Sequence, residues 1–182
     1  MTLWIIIALV VLLVIIYISI YNKIIKMKNR IEASFAQLDA HLKQRYDLIP
    51  NLVEIVKGYA KHEKETLTQV IAARNTALNA NTIEEKDSAN KSLAGALKSV
   101  FALAESYPDL KANEGFVKLQ TQLSEIEEKI LQARKYYNAV IREFNNLVEV
   151  FPSSIVANMM HQSKRTYLEV EEVERERVDI KF

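Results

Sequence analysis

The order of apolar and polar positions divides the chain into three stretches. Leu3 to Tyr21, LWIIIALVVLLVIIYISIY, is an uninterrupted run of 19 residues with no charge, and Ser19 is its only plainly polar side chain. At 1.5 Å per residue, a helix of this run is roughly 28 Å long, close to the ~30 Å hydrocarbon core of a bilayer. Trp4 near one end and Tyr17 and Tyr21 near the other match the aromatic belts found at membrane interfaces. The run predicts a membrane-spanning helix.

Beyond Tyr21 the pattern becomes periodic. Ile24, Met27, Ile31, Phe35, Leu38, Leu42, Ile49, Leu52, Val56 and Tyr59 follow in steps of three or four, apart from one gap at Arg45-Tyr46. This is the stripe of an amphipathic helix. No turn signal separates it from the apolar run, so the two are expected to form one helix. Pro50 lies inside the stripe without shifting its phase, which predicts a kink in a continuing helix. There Pro removes one N–H and crowds the carbonyl four residues earlier, that of Tyr46.

A turn is expected near Ala60–Glu63, followed by a shorter helix with Leu67, Val70, Ile71, Ala77 and Leu78 on one side. Asn79-Ala80-Asn81 stops it. Thr82-Ile83-Glu84-Glu85 has the spacing of a capping box, opening a third helix with Ala89, Leu93, Ala96, Leu97, Val100, Phe101 and Ala104 inward and its end at Tyr107-Pro108. The last long helix starts between Asp109 and Glu114. Phe116, Leu119, Leu123, Ile126, Ile130, Ala133, Tyr137, Val140, Phe144, Leu147 and Phe151 repeat at three and four, and Leu131, Ile141 and Val148 widen the stripe. A short apolar turn, Ile155–Met160, precedes a charged tail from Gln162, in which Val178, Ile180 and Phe182 alternate with Asp179 and Lys181. That alternation suits either a strand docked on the bundle or a free segment for a partner.

Charge orients the expected span. Lys23, Lys26, Lys28 and Arg30 follow it, and no basic side chain precedes it. The positive-inside rule then places the following domain in the cytoplasm and the N-terminus outside. Met1-Thr2 lacks a basic n-region, the apolar run exceeds the usual 7–15 residues, and Ser19-Ile20-Tyr21 is a poor cleavage triplet, so a retained anchor is expected rather than a cleaved signal. Beyond that flank the remaining 20 basic residues face 23 acidic ones, a net charge of −3, which gives no support to nucleic-acid binding. The chain has no cysteine, which excludes disulfides and thiolate metal sites.

Candidate chemistry is sparse. His62-Glu63-Lys64-Glu65-Thr66 opens like the zinc motif H-E-x-x-H, but Thr66 stands where the second histidine must fall. The residues three before His41, His62 and His161 are Leu38, Tyr59 and Asn158, so no E-x-x-H pair exists for a di-iron site. Phosphate loops and nucleophile elbows are also missing. The most informative polar group is Arg45, Tyr46, Asp47, Pro50 and Asn51, where the apolar stripe lapses beside the proline. Two readings fit it. One is a notch at the kink that contacts a ligand or partner. The other is a buried pair of Arg45 or Asp47 that fixes register, with Asn51 bonding a carbonyl freed by Pro50.

The run KQRYDLIPNLVEIVKGYAKHE (Lys43–Glu63) resembles the LemA family of bacterial membrane-anchored proteins, as do YPDLKANEGFVKLQTQL (Tyr107–Leu123), ARKYYNAVIREFN (Ala133–Asn145), FPSSIVA (Phe151–Ala157) and the N-terminal span with its basic flank. The resemblance extends over nearly the whole chain. It implies a single-pass protein with a mainly helical antiparallel bundle, in the bacterial cell membrane. It brings no established activity, catalytic residue, metal or cofactor. His161-Gln162-Ser163-Lys164 stands where similar proteins often have a Gly-Phe turn.

The expected fold is therefore all-α: an N-terminal transmembrane helix continuous with an antiparallel bundle of about four helices, the first and last long. Residues 1–22 form the anchor, 23–161 the bundle, and 162–182 the charged tail. The expected function is non-catalytic, a scaffold or adaptor held in the lipid bilayer that binds a partner protein, another membrane protein being one candidate. The alternative is a sensor or carrier holding a small apolar ligand or lipid in the bundle core, with Ala89, Ala96 and Ala104 as the small residues that would make room for it.

Overall fold

The computed structural model describes residues 1–168, and these are all-α, with no strand among them. Six helices follow in order: α1 (Thr2–Tyr59), α2 (Lys64–Asn79), α3 (Ile83–Ala104), α4 (Pro108–Lys111), α5 (Glu114–Glu149) and α6 (Ser153–Met159). At 1.5 Å per residue, the 58 residues of α1 extend roughly 87 Å and the 36 of α5 roughly 54 Å. The described residues divide into two compact units. Met1–Leu38 pairs with Ala133–Tyr167 in the first, and Asp39–Gln132 with Leu168 makes up the second.

In the first unit, the apolar run is helical throughout and its large side chains stand exposed. It is long and apolar enough to cross a membrane. The same helix then buries Ile24, Met27, Ile31 and Leu38, while α5 buries Ala133, Tyr137, Val140, Ile141, Phe144 and Val148. The rings of Phe35 and Tyr137 meet edge to face with centroids 5.9 Å apart. Arg30 donates through Nη1 to Glu143 at 2.8 Å and lies 5.6 Å over the Tyr136 ring. Partners on α5 fall in number as those on α1 rise, so the two segments are antiparallel.

Two details of this unit depart from expectation. Phe151 belongs to the apolar stripe of α5 in sequence, yet it is 77% exposed. Pro152 disfavours the α conformation for the residue before it, in keeping with a helix that ends at Glu149 and a Phe151 that leaves the stripe. After α6, His161 takes φ 52°, and the Gln162 N–H reaches back to the Ala157 carbonyl at 2.9 Å. This is a Schellman closure with a left-handed residue at the position glycine favours. Histidine therefore takes the left-handed position that closes α6. Beyond it, residues 162–168 have no regular secondary structure. The Arg165 N–H donates to Asn145 Oδ1 and its carbonyl accepts from Asn145 Nδ2, both at 2.9 Å. The alternation at Val178, Ile180 and Phe182 lies outside the described residues.

In the second unit, α1 runs through Pro50 without a break. The turn after it covers Ala60–Glu63, as its sequence suggests. Thr82 and Glu85 form the expected capping box: Thr82 Oγ1 accepts from the Glu85 N–H at 3.1 Å, and Glu85 Oε2 accepts from the N–H groups of Thr82 and Asn81. Helix α3 stops at Ala104, three residues short of Tyr107. The N–H groups of Glu105, Ser106 and Tyr107 bond three residues back, the tighter spacing that closes a helix ahead of a proline. Pro108 then opens α4, which the apolar pattern did not reveal because it is a single turn. Asn113 caps α5, accepting from the Phe116 N–H at 2.9 Å, and its amide donates to the Tyr59 hydroxyl at 3.0 Å. A Cβ on Gly115 would lie 3.2 Å from Ile55 Cδ1, so glycine permits this close approach of α5 to α1. Ile71, Leu78 and Tyr59, read as inward, are between 43% and 46% exposed.

Candidate functional site

The lapse in the α1 stripe at Arg45-Tyr46 is not a gap in burial. Arg45 is 1% exposed and Tyr46 5%, so both occupy core positions of the second unit. Stepping three and four from Leu42 and Ile49 puts them on the inward face, where a cation and a phenol need partners. Arg45 Nη1 donates to Glu127 of α5 at 2.7 Å, and its Nη2 donates to Asn90 Oδ1 of α3. The same oxygen accepts from the Tyr46 hydroxyl at 2.8 Å. The Asn90 amide in turn donates to the Lys86 carbonyl at 2.7 Å. One buried asparagine thus ties α1 to α3 through two donors, and Arg45 ties both to α5.

Helix α2 joins through the backbone. Arg74 Nε donates to the Tyr46 carbonyl at 2.8 Å. That carbonyl is the one Pro50 leaves without its helical N–H. A side chain from a neighbouring helix therefore replaces the missing intrahelical donor. Asn51, the candidate for that task by proximity, is exposed, as are Asp47 and Pro50. Of the five singled-out residues, Arg45 and Tyr46 are brought into one cluster, Pro50 acts through the Tyr46 carbonyl, and Asp47 and Asn51 face outward. Sequence reading missed Asn90, Glu127 and Arg74. Asn90 lies between Ala89 and Leu93 near the inward side of α3, so its polarity at a near-core position was the available signal.

The Arg45 charge is fully buried, and its carboxylate partner Glu127 has a side chain about half exposed. Burial pushes the Tyr46 phenol above its ordinary value, and the Asn90 hydrogen bond and the Arg45 charge offset part of that rise. Tyr46 is therefore a neutral donor at neutral pH. Among the described residues, no three His, Cys, Asp or Glu side chains are grouped to hold a metal ion.

The surface of this unit carries a groove of about 530 Å³ between the end of α1 and the start of α2. Val53, Ala60, Leu67 and Ile71 line it with Lys57, Lys61 and Lys64. Of the three small residues considered for a core cavity, Ala89 and Ala104 are buried and Ala96 is half-buried.

The family model described as the LemA family matches residues 34–182. The chain belongs to the LemA family. Its curated relatives include Protein LemA of Metamycoplasma hominis, 27% identical over 168 residues, an alignment spanning 90% of this chain and 75% of the relative. The family match takes in the whole Arg45–Asn90–Glu127 cluster and α2 to α6.

Proposed function

We propose that this LemA-family protein is a non-catalytic scaffold or adaptor, held in the cell membrane by residues 3–21 and binding a partner protein through its helical domain. One observation carries the reading. The exposed apolar run and the segment of α1 packed on α5 are a single helix, with no loop between Tyr21 and Ile24. An apolar helix face of that length in water would be a large aggregation hazard, and a bilayer removes it. A continuous helix also transmits position. Ordering at the membrane passes directly to the part of the first unit held by Arg30–Glu143 and Phe35–Tyr137.

The polar cluster supports a non-catalytic role. Arg45, Tyr46 and Asn90 hydrogen-bond one another and neighbouring helices, with Arg45 Nε left buried without a partner, and such a cluster suits register and specificity. Surface for a partner lies elsewhere, with the lysine-edged groove between α1 and α2 as one such place. The four basic residues Lys23, Lys26, Lys28 and Arg30 orient the helical domain to the cytoplasm and the N-terminus outside. The reading is tested by crosslinking in native membranes with a photoreactive residue at Thr68 in the groove, followed by identification of the products. A discrete protein adduct, competed away by added untagged chain, is expected. Adducts with lipid alone would contradict the adaptor role.

A further inference from the structure

We propose that the corner between α5 and α6 is a second membrane contact, in which Val150, Phe151, Ile155 and Met159 enter the lipid interface beside the point where α1 leaves it. The inference rests on the reading of residues 3–21 as a membrane span. These four side chains are between 54% and 77% exposed. The opposite face of α6 is already used, since Ser153, Val156 and Ala157 are buried. Helix α6 thus covers Val156 and Ala157 with protein and leaves Ile155 and Met159 uncovered, with Asn158 between them. Four large apolar side chains exposed within ten residues of one corner call for a covering surface.

The register within the first unit places the corner. Arg30 pairs with Glu143, and Phe35 meets Tyr137. Towards the span, Tyr21 lies nine residues from Arg30 along α1. In the same direction, Phe151 lies eight residues from Glu143 along α5. Both displacements are roughly 12–14 Å of helix rise. The helical course holds to Val150, whose N–H still donates to the Asn146 carbonyl at 3.0 Å. Ile24 has no exposed surface, so protein packing reaches to within one turn of Tyr21. The corner is thus level with Tyr21 and Asn22, where a span of this length meets the headgroups.

The surrounding chemistry fits a lipid surface. Lys23 and Lys26 are exposed on α1 close to this level, and Lys164 on the chain leaving α6 offsets the charge of Glu149 beside the corner. Basic groups there suit anionic headgroups. Side chains on a short helix lying in the interface bury into the outer ~5–10 Å of the headgroup and acyl boundary. The corner would fix the tilt of α1 as well as its depth, because two contacts on one rigid unit define an orientation and one span does not.

The test uses the full chain reconstituted in phosphatidylcholine–phosphatidylglycerol vesicles, with part of the lipid brominated at shallow acyl positions. Trp4 is the sole tryptophan, so wild type reports on the span. Trp4→Phe/Phe151→Trp reports on the corner, and Trp4→Phe/Ile155→Trp is an independent second reporter. Both new tryptophans replace exposed side chains. The expected result is blue-shifted emission from positions 151 and 155 that brominated lipid quenches, as at Trp4. Quenching of Trp4 without quenching at 151 and 155 would overturn the corner contact and leave the span standing. A blue shift at 151 without quenching would mean that protein, such as a second copy, covers the corner, and it also overturns the proposal. Unquenched Trp4 would remove the span and the proposal with it.

Discussion

Arg74 Nε donates to the carbonyl of Tyr46 at 2.8 Å, four residues before Pro50. The bond links a backbone defect in α1 to a side chain of α2, and it makes the two positions energetically dependent. Removing Arg74 leaves a part-buried carbonyl without a donor, at a cost of about 1–3 kcal/mol. Pro50→Ala would restore an N–H to that carbonyl. Arg74→Met is therefore expected to cost about 1–3 kcal/mol with Pro50 present and less than ~1 kcal/mol in the Pro50→Ala background. Denaturant unfolding of the four chains in detergent reads the coupling. Equal costs in both backgrounds would show that Arg74 does not serve this carbonyl.

Arg45 is expected to behave as a buried charge whose partners matter more than its presence. Arg45→Met keeps the volume and removes the charge, and such replacements are often close to neutral. Glu127→Ala leaves the guanidinium buried without its counter-ion. The half-exposed Glu127 moderates the loss, so about 1–3 kcal/mol is expected. A cost for Arg45→Met well above that for Glu127→Ala, in the same unfolding experiment, would show that the cation itself supplies the stability.

The core positions of α5 give a direct check on helix phase. Ile130 is 3% exposed, Leu131 half-buried and Glu128 exposed. Ile130→Ala is expected to cost ~2–5 kcal/mol through lost transfer energy and a residual cavity. Leu131→Ala should cost less. Glu128→Ala should stay within ~0.5 kcal/mol, as at other exposed sites. Thermal or denaturant melts of the three variants rank them, and the order Ile130, Leu131, Glu128 is the expected one.

The capping box makes one acid-limb prediction. The Thr82 and Asn81 N–H groups hold the Glu85 carboxylate below its ordinary pKa of 4.5. A depressed folded pKa means that the unfolded chain binds the proton more readily. The stabilisation is therefore full above 4.5 and is lost as pH falls through the folded value. Glu85→Gln should flatten stability against pH in the interval just below 4.5 and leave the neutral range parallel to wild type. An unchanged acid limb would mean that the box does not hold Glu85 ionised.

Much of the fold is legible in the sequence because long helices announce themselves by period. The stripe from Phe116 to Phe144, the Thr82–Glu85 cap and the Ala60–Glu63 turn all lie where spacing and cap chemistry put them. Short-range proline effects were harder to read. Pro152 turns Phe151 outward, and Pro108 ends one helix early and begins a one-turn helix. The polar cluster was half legible. A charged residue on an apolar stripe marked Arg45, but its partners lie 45 and 82 residues away, and no local spacing points to Asn90 or Glu127. The carbonyl freed by Pro50 could be named from sequence. Its donor could not, because Arg74 reaches it from another helix.

The central claim is a single span with the helical domain on the cytoplasmic side, and accessible cysteine labelling tests it most directly. The chain has no cysteine of its own, so single substitutions report cleanly. Thr2→Cys and Glu65→Cys both replace exposed residues, one before the span and one in the helical domain. With a membrane-impermeant maleimide on intact cells, position 2 should be labelled at once and position 65 only after permeabilisation. Labelling of position 65 in intact cells with protection of position 2 would reverse the topology, and recovery of the unlabelled chain in the soluble fraction would remove the anchor.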